Sequence, residues 1–377
     1  MPNPVRRTCD KTVVTLMVLL LLMGLVTLFS ATYYQKAATG DALAAVKKQL
    51  IGVALGAAAC VTLSRVPYRV FRRPKVTLLL LTASALMLIL VIIPGIGVSI
   101  NGSRRWLNIF GLSMQPSEFA KYAMVVFMAG ALDRRGEAID RLFTGIVPLL
   151  VVPGVMFLLI LEQPNLSTGG SILICALVML FAAGIQKRHM ALLGAGGLVV
   201  GAFYAWSAPY RRERLLSFRD PFAKMNDEGY QLSQSLIALG SGGLFGVGLG
   251  QGTPEKIPAY YNDFIFAVVC EQLGQAFGVL LLAVYVLLIL RGVTVVARAR
   301  RSFEMLLGCG VLAMLGIQTF MIVAGVIKMI PLTGVTMPFL SYGGSSLLSC
   351  MAMIGILHGA SARAQENLEE DILCVRG

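Results

Sequence analysis

The chain has 377 residues, 57% of them hydrophobic and 14% charged, with a formal net charge of +13 and a mean hydropathy of +0.78. A soluble domain carries about 25% charged residues, so this balance excludes an ordinary soluble fold and indicates an integral membrane protein. The basic surplus suits loops beside anionic lipid headgroups and gives no reason to expect nucleic acid as a partner.

Crossing the hydrocarbon takes roughly 20 apolar residues per helix. Stretches of that kind lie near 13–33, 49–64, 76–97, 116–132, 142–161, 168–185, 190–207, 264–290, 304–327 and 344–360. The expected fold is an all-α integral membrane protein, a polytopic bundle of about ten transmembrane helices. Residues 1–377 form a single membrane domain on this reading, and the long segment 208–263 is a loop between spans. The first stretch is too long for a signal-peptide core and lacks a small-residue cleavage site, so it reads as a retained helix. The seven cysteines are scattered with no CxxC pair, and His189 and His358 lie far apart. No His-based metal site is expected.

Short loops at 65–75, 133–141, 186–189 and 291–303 are rich in Lys and Arg. By the positive-inside rule they face the cytoplasm, as do both termini, in a bacterial cytoplasmic membrane. The loops on the other side hold Gly, Pro, aromatic and polar residues, which makes the extracytoplasmic face the working face. Within 208–263, the run GYQLSQSLIALGSGGLFGVGLG is apolar but broken by glycines. It is too short to span and reads as interfacial or re-entrant.

In chain order, the first candidates are Arg104, Arg105 and Trp106, cationic forks beside an aromatic ring. They suit anion binding, and equally an interfacial belt of snorkelling arginines. In QPSEFAK, Pro116 suits a first helical turn, and Glu118 and Lys121 at i,i+3 share a face and can pair. That pair is open to a structural or a functional role. Arg211 and Arg212 sit in a cluster able to hold a phosphate-bearing headgroup, although Glu213 and Asp220 are interleaved with it. Asp263 heads the apolar run NDFIFAVVCEQLG; it is placed as a general base near water, or as a helix cap. Glu271, at i,i+8, is expected two turns deeper on the same face, as a functional group or one half of a buried bond. Ser341 and Ser345 flank the glycines of SYGGSS, where free backbone N–H groups could bind an anion or simply begin a helix.

Taken in order, NGSRRWLNIFGLSMQPSEFAK, EQPNLSTGG, QSLIALGSGGLFGVGLGQG, NDFIFAVVCEQLG and PLTGVTMPFLSYGGSS resemble the SEDS family of cell-wall polymerases, FtsW, RodA and SpoVE, over essentially the whole length. The glycine-rich and SYGG segments look closer to FtsW and SpoVE than to RodA. The resemblance implies a peptidoglycan glycosyltransferase that polymerises lipid II at the outer face of the membrane, for division or spore-wall synthesis. It implies Asp263 as the catalytic residue, Glu118 and Lys121 as important for activity, and a class B penicillin-binding protein as partner. No cofactor is certain; a divalent cation, Mg or Mn, shared between Asp263 and a pyrophosphate is compatible with this and demanded by nothing. The alternatives are a flippase for the lipid-linked precursor and a RodA-type elongation polymerase. The chain departs from the family pattern twice: Asn262 precedes Asp263 where Thr is usual, and Asn165 stands where QPDLGT has Asp.

Overall fold

The computed structural model describes residues 10–37, 43–100, 103–109, 112–207, 209–225, 229–299 and 302–359. The first helices are α1 (Lys11–Ala37), α2 (Ala44–Arg65), the short α3 (Tyr68–Phe71) and α4 (Pro74–Ile92). Next come β1 (Gly97–Ile100), β2 (Ser103–Ile109) and β3 (Leu112–Met114), followed by α5 (Pro116–Arg135), α6 (Val147–Leu161), α7 (Leu166–Ala182) and α8 (Lys187–Trp206). The last part holds α9 (Pro209–Arg219), α10 (Tyr230–Ser241), α11 (Ile265–Leu273), α12 (Gln275–Val296), α13 (Ser302–Val326) and α14 (Gly344–Gly359). Among the described residues, six helices are long and apolar enough to cross a membrane: those at Lys11–Thr32, Ala44–Arg65, Pro74–Ile92, Leu142–Leu161, Gln275–Val296 and Ser302–Val326. The chain is a multi-pass, all-helical membrane protein with one small sheet.

The core is built on α5 and α13. Pro116 and Glu118 in the first turn of α5 and Arg134 and Arg135 in its last match the polarity of the helix dipole. Nearly every α5 side chain from Pro116 to Leu132 is buried, and α13 packs against α5, α7 and α12. α14 crosses α2 at the closest distance steric contact permits. A Cβ on Gly355 would meet the carbonyl of Cys60, and one on Gly359 that of Ser64, the small-residue packing by which helices associate in lipid. At the end of the bundle rich in Arg and Lys, Arg291 of α12 pairs with Asp10 at 2.9 Å.

Two expectations change here. The segment expected as a loop at 98–117 is a three-stranded antiparallel sheet in the order β1-β2-β3, with Val98 opposite Trp106 and Asn108 opposite Ser113. Ser103–Ile109 pairs along both edges, with β1 and with β3, which its loop-like composition concealed. The Asn101–Gly102 turn expected there lies outside the described residues.

The second correction concerns the span expected at 264–290. It is two helices, because Gly274 adopts φ +90° and ψ 164°, a conformation essentially reserved for glycine. The chain folds back there: Phe266 and Cys270 of α11 both lie against Gly278 of α12. In one continuous helix, residues 266 and 278 would be roughly 18 Å apart. Glu271 is still about two turns along α11 from Asp263, but it lies beside the fold-back where α12 begins and not deeper in a continuous span.

A second irregular stretch, 331–343, runs without helix or strand between α13 and α14 and is mostly buried. Its backbone groups are met by side chains from elsewhere. The Tyr285 hydroxyl of α12 donates to the Pro338 carbonyl. Gln49 of α2 donates from Nε2 to the Ser341 carbonyl at 3.2 Å and accepts at Oε1 from the Gly343 N–H at 3.3 Å. Replacing Gln49 with Leu strands both groups inside the bundle, at about 1–3 kcal/mol each. The Gln49→Leu protein should unfold at a clearly lower temperature in detergent, while Leu50→Ala, which removes an exposed side chain, should leave the midpoint nearly unchanged.

Candidate active site

Asp263 ends a turn tied by its own N–H to the Ala259 carbonyl at 3.2 Å, immediately before α11. It is half-buried. Its carboxylate lines a cavity of about 30 Å³ shared with Gln231, Phe264, Ile322, Gly325, Val326, Leu332, Thr333 and Gly334. The volume suits a water or two, so a sugar would meet this cavity at its mouth. Gly334, at φ +60°, lies behind the carboxylate; a Cβ there would come within 3.6 Å of Asp263 Oδ2. Asp263 thus faces protein, among the ends of α10, α11 and α13, and not bulk lipid.

The turn is fixed from the other irregular segment. Ser341 donates from Oγ to the Asn262 carbonyl at 2.6 Å and accepts from the Met337 N–H at 2.8 Å. The Tyr342 N–H reaches the Tyr261 carbonyl at 2.9 Å. The Tyr261 ring meets Tyr260 and Tyr342 edge to face, with centroids 4.9 and 5.6 Å apart. The Tyr260 phenol, pushed up to about 12 by burial and then by Tyr261 and Glu255, keeps its proton at neutral pH. Ala259, whose carbonyl takes the Asp263 N–H, holds a positive φ of 57°, the kind of stored strain that collects at functional sites.

Glu271 performs local architecture. Its Oε1 accepts the Thr253 N–H at 3.0 Å, and a Cβ on Gly252 would sit 2.7 Å from its carboxylate. Nearby, the Val247 and Gly248 N–H groups donate to the carbonyls of Glu271 and Gln272. The glycine-rich run 242–252 is thereby fastened along the second half of α11, and α10 packs on the same helix. The re-entrant reading of this run thus takes a definite form: α10, the glycine run and α11 make one folded-back unit.

Glu118 and Lys121 pair at 2.8 Å with side-chain exposures of 4% and 0%. The Lys121 ammonium is sealed inside the bundle, so it does not present itself to a ligand at the cavity. Glu118 Oε2 and Ser117 Oγ find no partner among the described residues. Ser345 is likewise internal, accepting from the Gln115 N–H at 3.0 Å and donating to the Ser113 carbonyl at 3.5 Å. It fastens α14 to the start of α5. Neither Ser341 nor Ser345 serves as an open anion donor.

The arginines divide. Arg105 donates from Nε to the Gln163 carbonyl at 2.9 Å and from Nη2 to the Pro164 carbonyl, clamping the sheet to the turn before α7. Arg104 is exposed on β2 and Trp106 half-buried beside it. Arg212 is exposed and sits over Trp206 at 6.0 Å from the ring centroid; Arg211 lies on α9 with its side chain outside the described set. Asn165 accepts the Thr168 N–H at 3.2 Å as the N-cap of α7, which is what an aspartate would do there. No group of three or more His, Cys, Asp and Glu able to hold a metal occurs among the described residues.

Sequence reasoning missed Gln49, Tyr285 and Gln231. Each is an ordinary polar residue in a helical run, and only the partner across the fold reveals its use.

A half-buried acid at the end of a broken helix, framed by two irregular segments inside a polytopic bundle, defines a membrane enzyme working at one end of its helices. The chain belongs to the FtsW/RodA/SpoVE family, whose model, described as "Cell cycle protein", matches residues 10–366. It is 37% identical over 355 residues to "Stage V sporulation protein E" of Bacillus subtilis, covering 93% of this chain and 96% of that one. It is 35% identical over 357 residues to "Probable peptidoglycan glycosyltransferase FtsW" of Geobacter sulfurreducens, covering 94% and 95%. Among solved structures, it resembles a chain from "Structural coordination of polymerization and crosslinking by a peptidoglycan synthase complex" with a TM-score of 0.77 at 28% identity, covering 95% and 98%. Thermus thermophilus "Rod shape determining protein RodA" gives 0.67 at 27% identity, covering 96% and 98%.

Breaking the Glu118–Lys121 pair on one side strands a charge in the core at about 3–5 kcal/mol. Lys121→Met alone should lower detergent-solubilised yield and melting temperature sharply. Adding Glu118→Gln should recover part of the loss in a double-mutant cycle.

Proposed function

We propose that this chain is a peptidoglycan glycosyltransferase that polymerises lipid II at the extracytoplasmic face of the bacterial cytoplasmic membrane. The observation that carries the reading is the placement of Asp263: half-buried, on a cavity shared with the start of α10 and the end of α13, and braced by Ser341 through Asn262. Relatives named FtsW and SpoVE support the division or spore-wall branch over RodA-type elongation. Both termini lie in the cytoplasm on this reading, since the basic loops gather at the opposite end from the sheet.

Asp263 accepts the proton of the acceptor sugar's 4-hydroxyl as that oxygen attacks the donor's anomeric carbon. The bond from that carbon to the diphosphate oxygen breaks, and the lipid diphosphate leaves with the electron pair. Attack from the opposite face inverts the centre and turns an α-linked donor into a β-1,4 glycan. Arg104, exposed on β2, and Arg212, exposed on α9, together with Arg211 on the same helix, supply positive charge towards the departing diphosphate. Glu118 and Lys121 act from within, as a buried ion pair in the first turns of α5. Among the described residues that line the cavity, Asp263 is the one carboxylate, so a divalent cation would be held chiefly by diphosphate oxygens, and no step is routed through it. The partner on this reading is a class B penicillin-binding protein that crosslinks the emerging strand.

A flippase is the second reading, favoured by the ion pair buried inside the bundle. Purified protein in detergent with lipid II and no membrane separates the two, since only a polymerase yields glycan strands. Asp263→Asn should cut strand formation by about 100-fold or more while the protein keeps its melting temperature. Normal polymerisation by that variant would remove Asp263 from the base role.

A further inference from the structure

We infer that Gln231 is a specificity-determining residue that reads the acetamido group of the acceptor sugar beside Asp263; this rests on the glycosyltransferase reading above. The cavity holding Asp263 is otherwise lined by Phe264, Ile322, Gly325, Val326, Leu332 and Gly334, with Thr333 and Gln231 as the remaining polar side chains. The Thr333 hydroxyl donates to the Met321 carbonyl at 3.3 Å, which commits its proton to the fold. Gln231 is exposed and stands in the first turn of α10.

Its position is built. Ser235, one turn along α10, reaches the Val326 carbonyl at the end of α13, and the buried Leu232, Ser233 and Ala238 fix the inner face of α10. At the other end, Gln275 Nε2 donates to the Leu239 carbonyl at 3.2 Å. The helix is held at both ends, so its first turn stays opposite the start of α11.

The chemistry follows from the two polar groups facing the same space. A carboxylate takes a proton from any hydroxyl placed against it and cannot distinguish one sugar from another. A carboxamide carries a donor and an acceptor on one rigid plane. An acetamido group presents the complementary acceptor and donor, so the two amides can pair through two hydrogen bonds. A free amine at the same carbon offers no carbonyl and meets the glutamine with at most one. Asp263 thus acts on the hydroxyl, and Gln231 selects which sugar brings it.

The test compares two lipid-linked disaccharide acceptors in detergent, one with the acetamido group on the terminal sugar and one with the free amine. The wild-type protein should prefer the acetylated acceptor by roughly tenfold or more in kcat/KM, expressed mainly in KM. Gln231→Ala should lose that preference, with KM for the acetylated acceptor rising towards that for the amine. Gln231→Glu should shift the preference towards the amine, a change that a merely structural role would not produce. Melting temperatures of both variants exclude misfolding, and if the alanine variant is unstable the glutamate variant alone decides. An unchanged ratio in the folded variants, or no discrimination by the wild type, overturns the inference while leaving polymerisation intact. Absence of any glycan from the wild type overturns the glycosyltransferase reading and this inference with it.

Discussion

The structure depends on one constraint: backbone that leaves the helix at membrane depth must find its hydrogen bonds within the protein. Two stretches do so here, the turns before Asp263 and the run 331–343. They solve the problem partly with each other, through Ser341 to Asn262 and Tyr342 to Tyr261. The rest comes from side chains on surrounding helices, Gln49 and Tyr285. An acid placed at such a junction is held in position largely by the bonds of its neighbours, Asn262 and Tyr261. That is how a membrane bundle obtains a preorganised group without a soluble domain to carry it.

Much of this was legible in sequence because the membrane imposes simple rules. Apolar length located the helices, and Asp263, Glu118 and Lys121 stood out because ionisable groups are rare in such runs. Direction was harder to read. NDFIFAVVCEQLG followed by GQAFGVLLLAVYVLLIL looks like one long apolar segment, and nothing in hydropathy marks Gly274 as a reversal. The break follows from contacts: Gly274 presses on the Leu244 carbonyl and Gly278 on Cys270. The sheet was hidden for a related reason, since a short strand pattern between two spans reads as loop when polar residues dominate it.

Residue roles diverged most where burial decides. Lys121 and Ser345 look like ligands for an anion when only their chemistry is considered; in the fold, both are consumed by internal bonds. Arg105 behaves the same way, its guanidinium spent on carbonyls at the end of α6 and the turn beyond. Function therefore narrows to fewer groups than the sequence offered, and the supporting residues become joints between elements. Gln49 shows the converse: a single amide in α2 that matters through two atoms of backbone far along the chain.

The cap at α7 has one more implication. Asn165 binds the Thr168 amide with a side chain that never gains or loses a proton. The turn that Arg105 grips is thus indifferent to acidity on its helix side. An aspartate at this position could make the same hydrogen bond with an acceptor that also carries charge. This chain indicates that the geometry of the acceptor, rather than its ionisation, is what the turn requires.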